Sequence, residues 1–127
     1  MDYNVQIDFQ LLGTTILPKE ISRITGIDPE VELIKGERNE KLGLPKLNIW
    51  SIRSHAKSNE LVDHWLDLAI TLENSKDSIK DIAKTGTAKF TLIVNSSERI
   101  PSLIIPPEMS SFAGFVGAVI DIDHYAA

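Results

Sequence analysis

A chain of 127 residues, 43% hydrophobic and 24% charged, is sized for one packed core and has no run of about 18 apolar residues able to span a bilayer. The absence of cysteine removes disulfides, thiolate metal sites and cysteine nucleophiles together, and a net charge of -5 opposes a nonspecific grip on phosphate backbones. Neither nucleic acid nor a membrane is expected as a partner, and the start Met1-Asp2-Tyr3-Asn4-Val5, without a basic stretch and apolar run, predicts a cytoplasmic protein.

Tyr3, Val5, Ile7, Phe9 and Leu11 alternate with Asn4, Gln6, Asp8 and Gln10, which is the period of a half-buried strand. Pro18 and Glu20 open a short helix with Ile21 and Ile24 as its buried face, and Gly26 stops it in a left-handed turn. Val31 to Ile34 reads as a second strand. Lys35 to Lys41 is too charged to bury, so a polar loop is expected through Gly43 and Pro45. Leu47 to Ser54 has the β-branched and aromatic content of a strand, with apolar residues on both parities predicting partial cover on both faces.

Ser58 or Asn59 is placed to cap the next helix, where Leu61, Trp65, Leu68 and Leu72, joined by Val62 and Ala69, form an amphipathic stripe. Ser75 can cap a shorter helix carrying Ile79, Ile82 and Ala83, with Gly86 as its stop. Phe90, Leu92 and Val94 alternate with Lys89, Thr91 and Ile93 in a strand that ends at Asn95-Ser96-Ser97-Glu98. After Pro101 and the run Leu103-Ile104-Ile105, Pro106-Pro107-Glu108 opens a last helix with Met109, Phe112, Ala113 and Val116 inward, closed by Gly117. Ala118 to Tyr125 follows as a strand with Asp121 and Asp123 on a wet face and Ile120 and Ile122 on a dry one. An echo links Leu17-Pro18-Lys19-Glu20-Ile21-Ser22 to Ile105-Pro106-Pro107-Glu108-Met109-Ser110; it reads equally as a repeated β-α-β unit or as shared helix-start chemistry.

Taken in order, Leu17-Pro18-Lys19-Glu20-Ile21-Ser22, Gly26-Ile27-Asp28-Pro29, Lys35-Gly36-Glu37, Trp50 and Asp121-Ile122-Asp123 with Tyr125 span nearly the whole chain. In that ordered set the sequence resembles the bacterial domain of unknown function numbered 4279. The resemblance implies a stand-alone bacterial α+β domain, and it transfers no reaction, ligand or catalytic residue.

The candidate chemistry is sparse. His55, His64 and His124 lack the spacing that sets several ligands on one face, so no metal is assigned and the histidines are read as exposed or singly hydrogen-bonded. Asp121 and Asp123 share a strand face, but a solvated face that resists edge pairing is favoured over an acid/base pair. Lys35-Gly36-Glu37-Arg38 lacks a phosphate-loop frame and reads first as a turn fixed by local ion pairing. With Trp50, Arg53 and His55 nearby, the same loop is the place for a small-ligand pocket.

The expected architecture is a single two-layer α+β domain over residues 1–127, its largely antiparallel or mixed sheet of five or six strands covered by one long and two or three short helices. No catalytic residue and no cofactor are assigned, and oligomeric state is left open. The functional expectation is a noncatalytic protein-binding module, an immunity- or antitoxin-like binder of a more basic protein, with Glu30 and Glu32 or Asp121 and Asp123 as the negative row. The alternative is a small-ligand-binding domain or small enzyme built on Lys35, Glu37, Arg38, Trp50 and Arg53.

Overall fold

The computed structural model describes residues 4–96 and 102–125. Tyr3 as a strand start, Ser97, Glu98 and Pro101 lie outside the described residues. Among the described residues, five strands and four helices follow in the order β1 (Val5–Leu12), α1 (Pro18–Thr25), β2 (Val31–Leu33), β3 (Ile49–Arg53), α2 (Leu61–Asn74), α3 (Lys76–Ala83), β4 (Thr87–Asn95), α4 (Pro107–Val116) and β5 (Val119–Tyr125).

The sheet order is β2-β3-β1-β4-β5, antiparallel throughout except that β5 lies parallel to β4. The fold is therefore α+β with a mixed, largely antiparallel sheet, and α2 at 14 residues is the longest of its helices. The parallel pair requires a crossover, which α4 supplies.

Period-two alternation decides the two faces. In β1, Val5, Ile7, Phe9 and Leu11 are buried on the helix side, and their neighbours across the ladders, Trp50 and Ile52 in β3 and Ala88, Phe90, Leu92 and Val94 in β4, are buried with them. Onto this face the helices bring Ile21 from α1, Leu61, Trp65, Leu68 and Leu72 from α2, Ile79 and Ile82 from α3, and Met109, Phe112 and Val116 from α4. At the centre is an aromatic cluster: Phe9 and Phe90 have ring centroids 4.8 Å apart, and Phe112 lies 5.9 Å from Phe9 and 5.8 Å from Trp65. Both tryptophans are buried. The other face carries the alternate residues, among them Gln6, Asp8 and Gln10 of β1.

Several local expectations are corrected. Ile24 is exposed, so Ile21 carries the buried side of α1 with Pro18. Neither Ser58 nor Asn59 caps α2 from the N-cap position, which Glu60 holds without a side-chain cap; Ser58 Oγ instead accepts the Glu60 N–H at 2.9 Å, and Asn59 Oδ1 accepts the Asn4 N–H at 2.7 Å. Ser75 occupies the N-cap of α3, but its hydroxyl donates to the Thr25 carbonyl at 3.2 Å. Gly86 is not the stop of α3, which ends at Ala83 with Lys84 as its C-cap; it is needed because the chain at the end of β1 passes so close that a Cβ would meet the backbone of Leu12, Gly13 and Thr14. The partial cover expected on both faces of β3 is present, since Ser51 is buried on the face away from the helices while Trp50 and Ile52 are buried toward them.

The echo between the first and last helices is real in local chemistry. Both α1 and α4 begin with a proline and end at a glycine of positive φ, Gly26 at 69° and Gly117 at 73°, and each leads to an edge strand. Pairing differs: β5 returns beside β4, whereas β2 pairs with β3 and not with β1.

Candidate functional site

On the face of the sheet away from the helices, register places Asp8 of β1 opposite Arg53 of β3. Arg53 grips the carboxylate with two donors, Nε to Oδ1 at 2.9 Å and Nη2 to Oδ2 at 3.1 Å, and Gln6 Nε2 adds a third hydrogen bond to Oδ1 at 3.2 Å. The bidentate fork suits planar guanidinium and carboxylate. Its hydrogen bond to Asp8, with the charge of Glu30 adding at longer range, raises the Arg53 pKa above the usual guanidinium value. Glu30 itself meets His55 Nε2 at 2.5 Å. This corner gathers Glu30, Arg53, Asp8 and His55, of which Asp8 was missed; the signal was its place on the polar parity of β1.

Glu32 has a different setting. It pairs in register with Trp50, and its carboxylate accepts the Ser22 hydroxyl at 2.5 Å while the Trp50 indole N–H donates to Ser22 Oγ at 3.0 Å. A buried indole donor needs such a partner. Glu30 and Glu32 thus end in separate contacts.

The loop of Lys35, Glu37 and Arg38 is held by hydrogen bonds to its backbone, including the Lys35 N–H to Asn48 Oδ1 at 2.8 Å, and among the described residues no ion pair fixes it. Gly36 N–H donates to the Pro45 carbonyl at 3.0 Å, Arg38 N–H to Leu44 at 2.9 Å, and Asn39 and Leu44 form a bridge; the Leu44–Pro45 peptide is cis. Lys35 and Glu37 come together with Ile34, Gly36 and Glu40 around a shallow cavity of about 310 Å³. Trp50 is absent from it, because its ring is buried on the helix side, and Arg53 is spent on Asp8. The structure does not assemble these five residues into one pocket.

Nor are the histidines brought together. His64 is buried in the core, where Nε2 donates to the Ser58 carbonyl and Nδ1 accepts the Ser54 hydroxyl, both at 2.7 Å, while Ser54 Oγ accepts the Ile7 N–H at 2.9 Å. The carbonyl can only accept, which places a proton on Nε2, and in the neutral ring Nδ1 is then the acceptor. The reading of all three as exposed or singly bonded is corrected at His64. Among the described residues no group of three or more His, Asp or Glu is placed to hold a metal ion.

Asp121 and Asp123 stand on β5 as a negative row. Lys89 of β4 reaches Asp121 at 3.2 Å, and the Tyr125 hydroxyl donates to Asp123 at 3.0 Å. The one-sided strand that was expected is corrected: Ile120 and Ile122, on the opposite side, are 36% and 47% exposed. The hydrogen bond to Asp123, and then its charge, raises the Tyr125 phenol above its ordinary pKa. The sign follows directly: this contact contributes in full below the phenol's unfolded value, near 10, and is lost as pH rises through the higher folded value. In Asp123→Asn, alkaline titration followed by phenolate absorbance should show Tyr125 ionising at lower pH than in the parent chain; an unchanged curve would refute the contact.

The surface that sequence reasoning missed lies on α2. Val62, Leu66 and Ile70 recur every four residues, off the core stripe, and are 39%, 62% and 75% exposed. Val62 therefore belongs to an outer stripe and not to the buried one, and the spacing that reveals it was present in the sequence. Around it stand Glu60, Asp63, Asp67 and Glu73, with no Lys or Arg on the helix. Asp63 accepts the Ser58 hydroxyl at 2.5 Å and Asp67 the His55 N–H at 2.7 Å. Among the described residues no cation forms an ion pair with any of the four. At the far end of the stripe Glu73 lines a cavity of about 230 Å³ with Lys76, Ser111, Phe112 and Phe115.

No described helix is long and apolar enough to cross a membrane. No curated protein and no solved structure matches the chain. A family does: the sequence model titled Domain of unknown function (DUF4279) matches residues 3–127, essentially the entire chain, and on that match the protein belongs to this family.

Proposed function

We propose that the chain is a noncatalytic protein-binding module of the cytoplasm whose partner is a more basic protein, in the manner of an immunity or antitoxin-like binder. The observation that carries this reading is the outer face of α2: three exposed aliphatic side chains, Val62, Leu66 and Ile70, in one row, with Glu60, Asp63, Asp67 and Glu73 around them free of any described ion pair. A contiguous apolar row rimmed by charge is the anatomy of a docking surface, with a dry centre for affinity and a polar rim for steering. Negative charge on the rim selects a positive partner and speeds its approach at low salt.

Leu66→Asn with Ile70→Asn removes the two most exposed members of the row while leaving the core untouched. Affinity capture from native lysate, run in parallel with the parent and this double variant, should enrich a basic protein on the parent alone. Purified, that protein should bind the variant about tenfold or more weakly, as for the loss of central anchors, and should associate more slowly as salt rises. Equal capture by both chains, an acidic partner, or association indifferent to salt would overturn the proposal.

A further inference from the structure

β5 occupies the end of the sheet beyond β4, so among the described residues no strand faces the N–H and C=O groups along its outer side. All seven of its residues are exposed or half-exposed, on both faces. Proteins ordinarily shorten, bulge or cover an edge of this kind, because it is a template for another chain. Here no described strand pairs with that outer edge, and β5 presents carboxylates on one side and isoleucines on the other.

A second copy of β5 is poorly suited to that template. In the antiparallel register that overlaps all seven residues, Ile122 falls opposite Ile122, and Asp121 of each copy falls opposite Asp123 of the other. Like charges directly across a ladder are destabilising. Lys89 offsets Asp121 alone, since the partner of Asp123 is the neutral hydroxyl of Tyr125. The same geometry becomes favourable when the incoming strand carries cations at alternate positions and aliphatic residues between them.

We infer that β5 receives an extended segment of another protein by strand addition, and that this segment alternates Lys or Arg with aliphatic side chains. Main-chain hydrogen bonds to the outer edge give the affinity, Asp121 and Asp123 set the charge requirement, and Ile120 and Ile122 bury the aliphatic side. This surface is separate from α2 and stands without it.

The probe is a capped peptide of alternating lysine and valine, as long as β5, titrated into the full isotope-labelled chain and followed by amide chemical shifts. Shifts should concentrate on Val119 to Tyr125. Asp121→Asn with Asp123→Asn should weaken binding about fivefold or more, and should also let the chain dimerise as its concentration rises. The same peptide methylated at every backbone nitrogen should not bind, while Leu66→Asn with Ile70→Asn should bind the unmethylated peptide like the parent. Shifts centred on α2, equal binding of the methylated peptide, or no effect of the two Asp substitutions would overturn the inference. Loss of binding in the α2 variant would move the site to that helix and do the same.

Discussion

Trp65→Ala should lower the unfolding free energy by about 3–5 kcal/mol, the range for deleting a large aromatic from a packed core. The indole is almost fully buried, in edge and tilted contact with Phe90 at 6.1 Å and Phe112 at 5.8 Å, and it links α2 to both the sheet and α4. Removing it leaves a cavity walled by other aromatic rings, which cannot all move in to fill it without breaking their own contacts. Urea unfolding followed by far-ultraviolet circular dichroism measures the loss. A cost below about 1 kcal/mol would show that the ring is not at the centre of the core.

Gly86→Ala should be comparably damaging, at about 3 kcal/mol, for the opposite reason. A methyl group there would lie 2.8 Å from the Thr14 nitrogen and 2.9 Å from the Gly13 carbonyl carbon, and would collide with the Leu12 carbonyl oxygen. All three are backbone atoms at the end of β1, so no rotamer change relieves the contact. Gly114 supplies the control, since it sits within α4 with nothing inside 4 Å of an added Cβ. Gly114→Ala should stabilise by about 0.5–1 kcal/mol through the helix preference of alanine. Thermal melts that moved the same way for both variants would contradict this account.

Much of the fold was legible in the sequence because burial imposes a period. β1 and β4 alternate cleanly, since each has one face on the core, and the Leu61-Trp65-Leu68-Leu72 stripe and the inward row of α4 follow from the same rule. The prolines and glycines that bound α1 and α4 act through local backbone geometry, so they too could be read directly. What stayed hidden depends on tertiary neighbours. Ile24, Val62, Ile120 and Ile122 are as apolar as their buried counterparts, and only the limits of the layer above or beside them decide that they face water. The site was legible in part for related reasons. Asp121 and Asp123 are displayed as expected, but Glu32 is drawn to Ser22 beneath Trp50, and Arg53 to Asp8, by strand pairings that no local pattern specifies.

The position of β1 also sets a condition on how the chain is made. β1 leads the order of elements yet lies inside the sheet, between β3 and β4. Gln10 and Thr91, hydrogen-bonded at 3.0 Å in the finished fold, are 81 positions apart. At roughly 5–20 residues per second, a ribosome takes roughly 4–16 s to cover that interval. Throughout it β1 has at least one bare edge, and α4, which brings Met109, Phe112 and Val116 onto the same face, is still to be made. Translation therefore has to carry the nascent chain past β4 before the central ladder can close, and folding is a late event in the life of the emerging polypeptide.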